Sequence, residues 1–148
     1  MSAIEIFNNA PDLQVQEDSA ATLARRVIAD EQLEVSSLNI IFVDDAYLKD
    51  LHQRYLDDDS KTDVMTFSLN ADGPIEGEIY ISLDRARAHA QTYRVTAEME
   101  VARLIIHGLL HLKGYDDHTA EEQKLMREKE NACLARYPEG VAFYDTGY

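Results

Sequence analysis

A long apolar helix with defined ends most constrains the fold of this chain of 148 residues. Thr96 can cap its N-terminus, and Gly114 suits its C-terminus because glycine readily adopts the left-handed conformation that turns the chain back. Between residues 104 and 112, large aliphatic side chains occur on nearly every side of the helix. Such a helix needs other elements to cover it. We therefore predict that it is the central, buried helix of the domain.

Two histidines, His107 and His111, interrupt this apolar run at a spacing of four residues. Side chains at i and i+4 lie on the same face of a helix, so both imidazoles can reach one metal ion. Past the helix end, either Asp117 or His118 can supply a third ligand, since zinc accepts carboxylate as well as the more usual imidazole. Three protein ligands leave one position of zinc open, as in catalytic sites. We predict one Zn²⁺ per chain at this site.

Gly108 follows the first histidine, and its identity bears on the reaction. Zinc peptidases carry the pattern H-E-x-x-H on the metal-binding helix, and the glutamate acts as general base. Glycine removes that base and costs about 1 kcal/mol of helix stability relative to alanine. We therefore predict that a neighbouring backbone or a substrate approaches the helix closely here. The sequence keeps the metal geometry but disfavours peptide hydrolysis.

Two charged residues, Glu100 and Arg103, fall on the same stripe of this helix as the histidines. Ala102, Ile105 and Leu109 fall on the opposite face, so the histidines lie outside the main core stripe and a cleft is favoured. Arg103 and Glu100 are therefore candidates for groups that support the metal ligands or contact the substrate. The ordinary alternative is that both are surface charges of a helix.

Strand patterns in the first half of the chain and helical patterns in the second half predict the fold class. The patterns indicate four strands, near 4–8, 37–43, 64–69 and 78–83, and five helices, near 19–33, 45–55, 84–93, 97–113 and 120–134. Thr119 and Glu122 match the capping box that begins the last helix. We predict an α+β fold with a small mixed β-sheet, as a single domain over residues 1–148 with an irregular C-terminal tail over 138–148.

Composition limits the partners and the compartment. The formal charge of −14 is opposite to the basic surface that broad nucleic-acid binding requires. An RNA substrate therefore needs a local basic patch, the metal or a larger assembly.

The single cysteine, Cys133, excludes an internal disulfide and favours a reducing compartment. The first residues lack the basic segment and long apolar run typical of a signal peptide, and no run approaches the ~18 apolar residues of a membrane helix. We expect a cytoplasmic protein without a membrane partner.

The metal-site residues resemble the YbeY family of metal-dependent endoribonucleases, whose signature runs H-G-x-L-H-L-x-G-Y-D-H. Residues 107–116 follow it position by position, but the next position, histidine in the common pattern, is Asp117. This register, together with the H-x-x-x-H-x-x-G-x-x-D spacing of metzincin-type zinc sites, assigns Asp117 as the third ligand and leaves His118 as the alternative. Residues 62–67 and 77–82 are similar to two strand motifs of the family.

One position departs from the family in a way that bears on RNA. The family loop often reads Y-R-G-K-D, with an arginine implicated in handling RNA, and Leu56 stands in place of that arginine. Phosphate contacts at that position therefore do not carry over to this chain. Five other basic side chains are available as substitutes, although each is more simply a solvent-facing charge: Arg54, Lys61, Arg85, Arg87 and Arg103.

The resemblance, which extends over residues 38–134, implies a zinc-dependent, single-strand-specific endoribonuclease. Its general acid and base are not assigned, and the alternatives are a zinc-bound water and a group on the substrate. It implies a role in small-subunit ribosomal RNA 3′-end maturation and ribosome quality control, with ribosomal RNA and the small ribosomal subunit as partners, and no DNA. The alternative is a ribosome-assembly factor with a mainly structural zinc and little nuclease activity. The acidic charge and Leu56 favour this alternative, whereas the open zinc position and Gly108 favour the enzyme.

Overall fold

The fold is seen in a computed structural model, in which the structure describes residues 3–9, 15–56, 63–70 and 72–143. Its elements, in chain order, are β1 (Ala3–Asn8), α1 (Glu17–Asp30), β2 (Val35–Val43), α2 (Asp45–Leu56), β3 (Val64–Ser68), β4 (Ile75–Ser82), α3 (Leu83–Tyr93), α4 (Ala97–Lys113) and α5 (Ala120–Leu134). Residues 57–62, which follow Leu56, lie outside the described residues, as does the end of the predicted tail.

The four strands form one mixed sheet in the order β1-β2-β4-β3. β2 pairs in parallel with both β1 and β4, so that Ile40 of β2 lies opposite Ile6 on one side and Ile79 on the other. β3 pairs antiparallel with β4. Parallel neighbours require a crossover, and α1 supplies the one between β1 and β2. The predicted α+β class and small mixed sheet are confirmed.

The apolar helix is α4, and it is the centre of the core. Five consecutive or near-consecutive side chains of α4 are at most 1% exposed: Leu104, Ile105, Ile106, Leu109 and Leu110. They pack with the buried side chains of β2, β4 and α1 in a single cluster. Burial of each such side chain contributes about 1.5–3 kcal/mol to folding. The position predicted for this helix is confirmed. No helix in the described part of the chain is long and apolar enough to cross a membrane.

Side-chain and glycine caps define the ends of α4 and the start of α5. The hydroxyl of Thr96 accepts a hydrogen bond from the backbone N–H of Met99 at 3.1 Å. Gly114 ends α4 with φ 120°, a conformation that favours glycine. Thr119 and Glu122 form the predicted capping box at the start of α5. Because the end of α4 and the start of α5 are both fixed, the short turn that connects these two helices returns toward α4.

Gly108 allows α4 to lie close to the sheet. A Cβ atom at this position would lie 2.8 Å from both Cδ1 and Cγ2 of Ile79, a fully buried residue of β4. The predicted close approach is therefore present. Its partner, however, is a strand side chain and not the backbone or substrate that we predicted.

Several boundaries differ from the sequence predictions, among them both ends of α1 and the start of β4, which lies at Ile75 and not near residue 78. Helix α1 begins at Glu17, and its N-cap residue, Gln16, forms no side-chain cap hydrogen bond. The hydroxyl of Ser19, inside the helix, accepts a hydrogen bond from the backbone N–H of Ala142 at 2.8 Å. The helix ends at Asp30, before the predicted end, because Gln32 adopts a left-handed conformation with φ 54°.

The first part of the tail, residues 138–143, is irregular apart from an isolated bridge between Val15 and Phe143. It is nevertheless packed, because Val141 is fully buried and its N–H donates to the carbonyl of Glu98 at 3.0 Å.

Candidate metal centre

Three predicted ligands, His107, His111 and Asp117, come together at the end of α4 and are called the ligand triad below. Nε2 of His107 lies 3.6 Å, and Nε2 of His111 lies 3.4 Å, from Oδ2 of Asp117. Zinc–ligand bonds of about 2.1 Å place the ligand atoms of a tetrahedral site roughly 3.4 Å apart. The two imidazole nitrogens and the carboxylate therefore match a zinc site in chemistry and in separation.

His118, the alternative third ligand, lies outside this group. Its side chain is exposed, and it forms no group with the two histidines. Gly114 reverses the chain after α4, and the turn that follows directs Asp117 toward the histidines. The geometry thus agrees with the assignment made from register.

Glu130 of α5 fixes the orientation of the His107 ring. Its Oε2 lies 2.5 Å from Nδ1 of His107, and its side chain is buried. A carboxylate accepts hydrogen bonds, so the imidazole donates through Nδ1–H. The lone pair of Nε2 is then left facing Asp117, as metal binding by this ring requires.

Arg103 joins α4 to α5 through two buried carboxylates. Its Nε donates to Oε1 of Glu100 and its Nη1 donates to Oε1 of Glu130, both at 3.0 Å. Burial disfavours the charged guanidinium, but hydrogen bonds and charge from Glu100, and then from Glu130, outweigh that effect and raise the pKa of Arg103. Both residues predicted on this stripe therefore support His107 through Glu130. Neither is an ordinary surface charge.

A second group of possible ligands lies on the other side of Arg103. Nδ1 of His89 is 3.3 Å from Oδ2 of Asp63 and 3.7 Å from Oε2 of Glu100. Nη2 of Arg103, however, lies 3.7 Å from Oδ2 of Asp63 and also donates to Glu100. A guanidinium beside these oxygens repels a divalent cation. We call these four residues the salt-bridge cluster.

Sequence reasoning missed Glu130, Asp63 and His89. Asp63 lies just before β3 and His89 lies on α3, so no local spacing connects them to the histidines of α4. Glu130 carried one signal: it falls on the same helical stripe as Met126 and Cys133, both of which are buried. A carboxylate at a core-facing position needs a partner, and this one has two.

Among the described residues, none of the basic side chains proposed as substitutes for the loop arginine forms an ion pair with Asp117. Arg54 pairs with Asp50 at 3.1 Å, and Arg87 pairs with Asp84 at 3.9 Å. Lys61 lies outside the described residues.

A different arginine, Arg127 of α5, lies at the triad. It lines a small open cavity of about 170 Å³ together with His107 and Asp117. A larger cavity of about 630 Å³ adjoins it between α3, α4 and α5. Arg103, Arg127 and Glu130 line both cavities. Sequence reasoning did not consider Arg127, because its position beside the triad depends on how α5 packs on α4.

A family model described as "Endoribonuclease YbeY" matches residues 5–138 of this chain. The chain belongs to the YbeY family. An "Endoribonuclease YbeY" from Flavobacterium psychrophilum is 38% identical over 129 residues, which are 86% of this chain and 92% of the relative. Another, from Cytophaga hutchinsonii, is 43% identical over 106 residues, 71% of this chain and 74% of the relative.

A solved structure has the same fold. A solution structure from Thermotoga maritima matches with a TM-score of 0.60 and 25% identity, over 100% of this chain and 99% of that chain. The resemblance stated from the sequence is thus confirmed. Membership of the family supports an endoribonuclease, which is a hydrolase of RNA phosphodiester bonds.

Proposed function

We propose that this YbeY-family chain is a zinc-dependent, single-strand-specific endoribonuclease whose metal is held by His107, His111 and Asp117. The observation that carries the proposal is the convergence of these three ligand atoms within 4.8 Å of one another. A zinc ion held there would lower the pKa of a coordinated water and polarise a phosphoryl oxygen.

The protein residues hold this site in a fixed geometry. Two ligands lie on a helix that is buried in the core, and the third lies in a turn that is capped at Gly114 and Thr119. Glu130 keeps Nδ1 of His107 protonated, so that Nε2 serves as the ligand. Rigid support of this kind lowers the cost of binding the metal and the substrate in one geometry.

For the cellular role, we propose cleavage at the 3′ end of small-subunit ribosomal RNA and a part in ribosome quality control, in the cytoplasm. The charge of −14 weakens binding of free RNA over an extended surface. We therefore propose that the small ribosomal subunit brings the RNA to the site.

The second candidate is a ribosome-assembly factor whose zinc is mainly structural. One observation favours it: Arg103, the arginine of α4, donates hydrogen bonds to the carboxylates of Glu100 and Glu130. It is therefore not free to bind a phosphate.

The two candidates are separated by an assay of wild-type protein and the His111→Ala variant on single-stranded and duplex RNA, with zinc quantified in each sample. We expect about one zinc per chain and cleavage of single strands by the wild type only. Equal cleavage by both proteins would indicate a contaminating nuclease and contradict the proposal. Zinc-loaded wild type without activity would favour the assembly factor.

A further inference from the structure

The larger of the two cavities, called the groove below, extends along α4 and α5 from the small cavity at the ligand triad, which is called the metal cavity below. Its volume of about 630 Å³ lies within the range of sites that bind small molecules or single groups. Its lining combines charged and polar side chains with four apolar or aromatic ones: Tyr93 of α3, Val95 of the segment between α3 and α4, Met99 of α4 and Leu134 of α5.

The groove and the metal cavity are continuous. Three side chains line both of them, namely Arg103, Arg127 and Glu130. On α5, Arg127 and Leu134 are seven residues apart on one face, a distance of about 10 Å along the helix. A ligand that lies between these two residues therefore extends from the rim of the metal cavity into the apolar part of the groove.

Of the two arginines that line both cavities, Arg127 is the one without an ion pair to a described residue. Arg103 is neutralised by Glu100 and Glu130, whereas Arg127 is exposed and has no ion pair with any described residue. Its guanidinium can donate two parallel hydrogen bonds to a phosphate. In so acidic a chain, a free arginine beside the ligand triad marks the point at which an RNA backbone is attracted.

Tyr93 offers an aromatic surface in the lining of the groove. It is 69% exposed although it is large and partly apolar, and His89 contacts it edge to face with ring centroids 6.1 Å apart. The contact limits the motion of the ring while most of its surface remains accessible. An aromatic ring of this kind stacks with an unpaired base irrespective of sequence.

We propose that this groove is a nucleotide-binding subsite for single-stranded RNA, with a base stacked on Tyr93 and a phosphate bound by Arg127. The subsite rests on the proposed function, because it positions the strand beside the ligand triad. Bases of a duplex are paired and stacked and cannot enter the groove. The subsite therefore accounts for a preference for single strands.

The test of the aromatic contact measures binding of a short, fluorescently labelled single-stranded RNA to zinc-loaded protein by anisotropy. We expect Tyr93→Ala to weaken binding about tenfold, and Tyr93→Phe to retain it, because the stacking surface remains. Tyr47→Ala is the matched control, since Tyr47 is also an exposed tyrosine but lies on α2 and lines neither cavity.

The phosphate contact is tested by salt dependence. Arg127→Ala removes one phosphate contact, so the slope of log K against log salt concentration becomes shallower by about 0.7. Lys124→Ala, an exposed charge on the same helix outside both cavities, leaves the slope unchanged.

Cleavage is followed with the same RNA, so that the subsite and the proposed function can fail separately. If the wild type cleaves, but Tyr93→Ala and Arg127→Ala bind and cleave as it does, the subsite is refuted and the nuclease stands. If RNA binding depends on Tyr93 and Arg127 but the wild type cleaves no RNA, the subsite is supported and the proposed nuclease activity is refuted. Absence of RNA binding by the wild type, as expected if the groove holds a protein segment, overturns the subsite.

Discussion

Two groups of histidine and carboxylate side chains lie beside α4, and the charge next to them distinguishes one from the other. In the ligand triad, both imidazoles face one carboxylate, and no lysine or arginine within the described ranges pairs with that carboxylate. In the salt-bridge cluster, the guanidinium of Arg103 contacts both carboxylates. Similar residue types therefore give a candidate metal site in one place and an ion-pair network in the other.

The difference teaches that ligand chemistry and proximity are not sufficient for a metal site. A fixed cation close to the oxygens opposes a second, divalent one. The two groups are also linked, because Glu130 contacts Arg103 with one oxygen and His107 with the other. The salt-bridge cluster is thus linked to the ligand triad through Glu130, and the guanidinium of Arg103 disfavours a metal ion within the cluster.

Loss of a triad ligand has the largest expected effect. We expect His111→Ala and Asp117→Ala to retain less than about a tenth of the zinc of the wild type, since a site with two protein ligands binds it weakly. His118→Ala, and His89→Ala from the salt-bridge cluster, are expected to keep about one zinc per chain. Metal analysis after metal-replete expression checks this. Loss of zinc on mutation of His118 would move the third ligand to that residue.

Removal of the guanidinium tests the role of the salt-bridge cluster. Arg103→Met leaves Glu100 and Glu130 buried without their main partner, so the free energy of unfolding should fall by about 3 kcal/mol. Urea denaturation measures the change. Arg87→Met, in which the lost ion pair is exposed, should cost less than about 1 kcal/mol. Equal stability of Arg103→Met and wild type would show that the cluster does not support the fold.

The link between the two groups is tested at Glu130. Glu130→Gln keeps the size of the side chain but removes the charge that His107 faces, so zinc affinity should fall about 10- to 100-fold. Competition with a chromophoric chelator measures the affinity. Glu128→Gln, an exposed carboxylate of the same helix, serves as control. An unchanged affinity in Glu130→Gln would mean that the triad is independent of the cluster.

Gly108 sets how closely α4 lies on the sheet, and thereby where both groups lie. Gly108→Ala places a Cβ atom against Ile79, at a cost of about 1–3 kcal/mol that the better helix propensity of alanine offsets by about 1 kcal/mol. We expect a net loss of stability in thermal or urea unfolding. The double variant, Gly108→Ala with Ile79→Ala, should lose less stability than the sum of the two single losses, because the smaller side chain at position 79 leaves room for the new Cβ atom. A more stable Gly108→Ala protein would contradict the close packing.

What could be predicted from the sequence is local in the chain. Thr96 and Gly114 define α4, and the spacing of His107, His111 and Asp117 follows from that helix and the turn after it. These features depend on backbone geometry within a few residues.

The partners of the ligands could not be predicted, for the same reason. Glu130 reaches His107 only because α5 packs on α4 in one register, and Asp63 reaches Arg103 only through the path of β3. Such contacts are set by packing of the whole domain, and no periodicity in the sequence specifies them.

A crystal structure with anomalous diffraction measured at the zinc edge tests the central claim most directly, because it locates the metal among all candidate ligands at once. We expect one zinc peak, about 2.0–2.2 Å from Nε2 of His107, from Nε2 of His111 and from a carboxylate oxygen of Asp117. We expect no peak among the residues of the salt-bridge cluster. A zinc peak in that cluster, with none at the triad, would refute the assignment of the metal site to the ligand triad.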